Sequence, residues 1–200
     1  MIEYTPGDII LVGSGSFLSK QIKAYMKAYN KKLGYPKIGD YYSHAAMIVD
    51  MWGRLYVAEA LKDGITLAPL DDTYLNKLQT DTVNIRVLTP KKAYSKTEQE
   101  EVSKIAAAFA LTPTRYDFLN LWYQIKMIQE TTKTDENGEK WIGPKGNRAE
   151  KRLYCTEAVA TWANRVRPDT FKAPWATNPV DVELNKYYKV KYPSTDGTNS

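Results

Sequence analysis

Two side chains of this protein could do nucleophilic chemistry together, and each is unique. His44 is the only histidine and Cys155 the only cysteine among 200 residues. A thiol-based hydrolase needs one of each: a thiolate that attacks and an imidazole that moves the proton. Cys155 opens the run Cys-Thr-Glu-Ala-Val-Ala-Thr-Trp-Ala-Asn (155–164), which reads as the first turns of a helix. A side chain there meets backbone N–H groups without intrahelical partners and the positive end of the helix dipole. Both favour thiolate over thiol. His44 opens the apolar run Ser-His-Ala-Ala-Met-Ile-Val (43–49), which reads as a buried strand, a rigid mount for an acid–base group. A plainer reading stands beside this one. A lone cysteine is often a small buried hydrophobe and a lone histidine a satisfied core residue, so position and surroundings must decide.

An imidazole works better when a carboxylate or amide orients its far nitrogen. Glu59, in Val-Ala-Glu-Ala (57–60), is the candidate. Two apolar runs, 44–51 and 54–61, flank Trp52-Gly53 and predict a hairpin. A loop of those two residues, or of the four residues 51–54, pairs Glu59 with Ala46. Residues 44, 46, 59 and 61 then share a face, with His44 and Glu59 diagonal neighbours on it. A three-residue loop would turn Glu59 to the other face, so the triad depends on register. The plain alternative for Glu59 is an edge carboxylate in solvent. Its apolar neighbours argue against that, because an ionised carboxylate in a buried run needs a partner.

The remaining elements follow from pattern. Residues 7–13 read as a buried strand ended by glycine, with Ser14 or Ser16 available to cap a helix over roughly 17–33. That helix carries Phe17, Leu18, Ile22, Tyr25, Met26, Tyr29 and Leu33 on one side and Lys20, Lys23, Lys27 and Lys31 opposite, with Gly34 as a stop. The lysine row suits phosphate or lipid, or serves only as a wet face. Residues 64–70 and 84–88 supply two short strands. Ser95 and Glu98 form a capping box for a helix to about Leu111. Residues 116–130 read as another amphipathic helix and 131–151 as a polar excursion loop. The cysteine helix runs to about Arg165. Pro168, Pro174 and Pro179 break the next stretch, 187–192 read as a last strand, and 193–200 as a disordered tail. The expected architecture is α+β: a small, mostly antiparallel sheet packed with helices, in one domain over 1–192.

Composition sets limits. The chain is 43% hydrophobic and 26% charged, ordinary for a globular protein that can bury a core without staples. One cysteine permits no internal disulfide, and no paired metal-ligand spacing suggests zinc. No cofactor is called for. No signal peptide and no membrane span are visible, so synthesis in the cytoplasm is expected. The net charge of +5 is mild and compatible with weak contact with an anionic polymer or membrane. Gly13-Ser14-Gly15-Ser16 hints at a phosphate loop, but the dinucleotide pattern fails at Leu18 and no Gly-Lys-Ser/Thr follows. The 15 tyrosines and five tryptophans are spread along the chain with no dense basic cluster, which argues against specific nucleic-acid binding.

Five short motifs stand in a telling order: Gly7-Asp8-Ile9-Ile10, Tyr42-Ser43-His44-Ala45, Ala58-Glu59-Ala60 followed by Gly64, Tyr116-Asp117, and Tyr154-Cys155-Thr156-Glu157. Over about residues 5–185 the chain resembles the YiiX/YaeF-like family, circularly permuted papain-fold hydrolases related to the NlpC-type cell-wall peptidases. The resemblance implies a papain-like fold in which histidine and glutamate precede the cysteine. It implies Cys155 as nucleophile, His44 as general base and acid, and Glu59 as the orienting group. It places Tyr116, with Tyr154, beside the substrate, the Tyr116 hydroxyl helping to bind the oxyanion or the substrate. The expected substrate is a peptide or other acyl amide, with cell-wall peptides as the family-implied case. Thr156 stands where the family usually has serine. An esterase or acyltransferase acting on lipids would use the same dyad, and a silent binding module would keep the cleft without chemistry.

Overall fold

The computed structural model describes residues 3–34, 41–71, 75–76, 82–112, 115–116, 132–134, 140–142, 152–171, 173–174 and 177–192. The elements are β1 (Ile9–Ser14), α1 (Phe17–Leu33), β2 (His44–Met51), β3 (Arg54–Leu61), β4 (Gly64–Pro69), β5 (Thr82–Pro90), α2 (Lys96–Leu111), β6 (Arg115–Tyr116), β7 (Thr132–Thr134), β8 (Lys140–Ile142), β9 (Arg152–Leu153), α3 (Cys155–Val166), α4 (Pro179–Glu183) and β10 (Tyr188–Tyr192).

Six strands form one sheet in the order β10-β5-β1-β2-β3-β4, and every pairing in it is antiparallel. The α+β expectation is met. β2 reads as a nearly continuous apolar run because both of its faces are covered. Ala45, Met47 and Val49 face one core with Ile9, Leu11, Ala58 and Leu88, against Val102 and Ala106 of α2 and Ala158, Val159 and Trp162 of α3. Ala46 and Ile48 face a second cluster with Ile10, Val12 and Val57, flanked by Tyr4 and Leu70. Each fully buried large aliphatic or aromatic side chain contributes about 1.5–3 kcal/mol relative to exposure.

Local chemistry sets the helix ends. Ser16 accepts from the Ser19 N–H to start α1, and Gly34 closes it at φ 70°, a left-handed conformation that glycine adopts without penalty. The Ser95–Glu98 capping box is present at α2. The apolar side of α1 (Ile22, Tyr25, Met26, Tyr29, Leu33) is buried with Val180 of α4. Arg167, just past α3, donates to both carboxylate oxygens of Glu98 and to the carbonyls of Lys92 and Ala93. That joins the end of α3 to the start of α2.

Two expectations need correction. Pro179 does not break the chain but starts α4, where its missing N–H costs nothing at the first helical position. Within 131–151, read as a loop, β7 and β8 pair as a small antiparallel ribbon, Lys133 opposite Trp141. The helix expected over 116–130 and the tail 193–200 lie outside the described residues, apart from Tyr116 in β6.

Candidate active site

A tight turn places the first two residues. Trp52 and Gly53 both have positive φ, 58° and 81°, the requirement of a two-residue turn that matches strand twist. Asp50 Oδ1 accepts from the Gly53 N–H at 2.7 Å and locks it. The loop is therefore two residues long, and Ala46 pairs with Glu59. Glu59 lies on the His44 side of the sheet, two positions along from the histidine's own pairing level. His44 Nε2 is 2.8 Å from Glu59 Oε2. The carboxylate is nearly enclosed, with 8% of the residue exposed, so its partner is required rather than incidental.

The third residue comes from the far end of the chain. Cys155 is the first residue of α3, and Tyr154 at the N-cap supplies no side-chain cap. Two anchors hold this helix start. The Tyr154 hydroxyl and the Thr156 hydroxyl both donate to the Thr177 carbonyl, at 2.8 and 2.7 Å. Thr177 precedes Asn178, whose side chain caps α4 by accepting from Val180 and Asp181 N–H, while Asp181 accepts from the Asn178 N–H. On the other side, Trp162, Ala158 and Val159 seat α3 in the core. The sulfur is consequently held by packed helix rather than by a loop, with the residue 3% exposed.

His44 meets both partners. Burial opposes the charged ring, but the negative charge and hydrogen bond of Cys155, with the hydrogen bond and charge of Glu59, outweigh it and push the imidazole up to about 10. Nε2–H donates to Glu59, which leaves Nδ1 as the nitrogen for the sulfur. The chemical capacity of the arrangement is a proton donor, the His44 ring, in contact with a sulfur that can act as a nucleophile.

Of the residues singled out in the sequence, the structure brings Cys155, His44 and Glu59 together. Tyr154, expected beside the substrate, is fully buried and its hydroxyl donates to the Thr177 carbonyl, so it braces the helix start. Tyr116 lies in β6, its backbone pairing in parallel with Leu153, two residues before Cys155. Its side chain lies outside the described atoms. Sequence reasoning missed Thr177. The signal was the Asn178-Pro179 dipeptide, an N-cap followed by a first-turn proline, which fixes a helix start and with it the carbonyl just before.

No known family profile matches the chain, and no curated protein matches it in sequence. Its fold is found among solved structures. One of them is described as the metalloprotein yiiX from Escherichia coli O157:H7, DUF1105. The match covers 94% of this chain and 97% of that one, with a TM-score of 0.56 and 17% sequence identity. This chain has the YiiX fold over nearly its whole length.

Proposed function

We propose that the protein is a cysteine hydrolase of amide bonds, acting through an acyl-thioester on Cys155. The observation that carries this reading is the His44 imidazole braced by Glu59 on one side and paired with the Cys155 sulfur on the other. The thiolate attacks the substrate carbonyl carbon, and backbone N–H groups at the start of α3, that of Cys155 first, hold the developing oxyanion. As the tetrahedral adduct collapses, the His44 imidazolium gives its proton to the leaving amine. The neutral ring then takes a proton from water, which attacks the thioester, releases the carboxylic acid and restores the ion pair. Glu59 positions the ring throughout. A peptide amide, including the short peptides of cell walls, is the substrate class this reading favours.

The yiiX neighbour is described as a metalloprotein, which raises the same residues here as candidate metal ligands. They do not fit. Among the described residues, no group of three or more His, Cys, Asp or Glu stands where it could hold an ion.

The test is alkylation by iodoacetamide across pH 5–9. A fast reaction near pH 6, abolished in Cys155→Ala and slowed at least tenfold in His44→Ala, is the expected result. A slow reaction with a midpoint near the ordinary thiol value of about 8.5, indifferent to His44→Ala, would instead identify a silent binding module. A screen of muropeptides, acyl-amino acids and phospholipids for product release then sorts peptidase from lipid esterase.

A further inference from the structure

The net charge of the protein sits on one helix. α1 carries Lys20, Lys23, Lys27, Lys31 and Lys32 and no acidic residue. The chain has 28 basic and 23 acidic residues, so the basic residues outside α1 equal the acidic ones in number. At 100° per residue, Lys20, Lys27 and Lys31 fall within about 40° of one another around the axis and span roughly 16 Å along it. All three are exposed. Among the described residues, none of the three takes part in an ion pair. A row of like charges on one face costs the helix a few tenths of a kcal/mol for each i, i+4 pair, an effect the dipole relieves only in the last turn, at Lys31 and Lys32.

We infer that the outer face of α1 is a docking strip for a linear polyanion that carries phosphates but no bases. Three features select that occupant. The apolar side of α1 is committed to the core through Ile22, Tyr25, Met26, Tyr29 and Leu33, so the helix has no face left to insert into a bilayer. Both tyrosines of α1 are buried, so among the described side chains of the helix no ring is left on which a nucleic-acid base could stack. The charged groups that remain on the exposed side are lysines in a straight file, which matches repeating charge along a backbone. The file begins near the candidate active site. Ser19, in the first turn of α1, bonds through its hydroxyl to that of Ser43 at 2.6 Å, and Ser43 precedes His44. The inference does not depend on Cys155 acting as a nucleophile.

Binding of fluorescent inorganic polyphosphate, followed by anisotropy at several salt concentrations, tests it. The wild type and Cys155→Ala should bind alike. The triple variant Lys20→Gln/Lys27→Gln/Lys31→Gln should bind at least tenfold more weakly, with a shallower salt dependence by roughly two in the log–log slope. A control with the same loss of charge elsewhere, Lys91→Gln/Lys96→Gln/Lys104→Gln at three exposed positions, should keep at least half of the wild-type affinity. Equal losses in the two triple variants would overturn the strip, since net charge alone would then explain binding. Tighter binding to single-stranded DNA or to vesicles with anionic headgroups than to polyphosphate would overturn the assigned occupant. Circular dichroism of the triple variant confirms that α1 is intact, and the control variant keeps the comparison meaningful if it is not.

Discussion

Replacing Glu59 by glutamine leaves an acceptor beside His44 Nε2 but removes its charge. A hydrogen bond to a charged group contributes about 1.5–3 kcal/mol net. At 1.36 kcal/mol per pKa unit, its loss lowers the imidazole by about 1–2 units. Starting from about 10, the Glu59→Gln protein should titrate at roughly 8–9. Cys155→Ala removes the larger contributions, the charge and hydrogen bond of the sulfur, and leaves burial opposing the charged ring, so its midpoint should fall further than that of Glu59→Gln. The assay is direct because the chain has one histidine. A single imidazole Cε1–H resonance, followed by proton NMR from pH 5 to 11, reports the site without assignment. A wild-type midpoint at the ordinary 6.5, or one that neither substitution moves, would refute the ion-pair reasoning. The linkage has a definite sign. The folded-state value lies above the ordinary one, so the stabilisation from protonated His44 is complete below pH 6.5 and is lost as pH rises through about 10. The gap in melting temperature between wild type and His44→Gln should close over that same window.

Two further predictions concern the scaffold. Arg167→Ala removes four hydrogen bonds and a guanidinium that lies 4.4 Å above the Tyr94 ring, and should destabilise the fold by about 2–4 kcal/mol in urea unfolding. Arg167 holds the Glu98 carboxyl down at about 2, with the Ser95 N–H assisting, so this part of the stability is present above pH 4.5 and lost as pH falls through about 2. The difference between wild type and variant should shrink over that range, and a constant difference would show that the carboxylate plays no part. Gly7→Ala adds a Cβ 2.5 Å from the Tyr94 ring at a φ of +94° that side chains rarely adopt. Strain and overpacking together should cost about 2–5 kcal/mol, and a variant as stable as the wild type would mean that the ring gives way freely.

What the sequence made legible was local. The Trp52-Gly53 turn dictates the Ala46–Glu59 pairing, and from that pairing follows the shared face of His44 and Glu59. Ser16, Gly34 and Ser95 mark helix ends because caps act within three or four residues. Long-range partners were not legible. Asn178-Pro179 announces a helix start just after Thr177, but not that the Thr177 carbonyl accepts from Tyr154 and Thr156, because that contact exists only once α4 packs beside α3. The bracing bond of the Tyr154 hydroxyl was out of reach for the same reason, since its acceptor lies 23 residues away. The placement of β5 between β1 and β10 is likewise set by closure of the whole sheet, with Ile10 opposite Val87 and Leu88 opposite Val190.

The interval between the hairpin and α3 orders events at the ribosome. His44 and Glu59 are 15 residues apart and belong to one hairpin. Cys155 is translated about a hundred residues later, which at ordinary elongation rates is a delay of roughly 5–20 s. A nascent chain thus presents an imidazole and a carboxylate with no sulfur to arm. If the proposed chemistry holds, chains that stall or are cleaved before α3 emerges are inert, and reactivity appears only in a polypeptide whose synthesis has passed Cys155 and whose two halves have closed on each other.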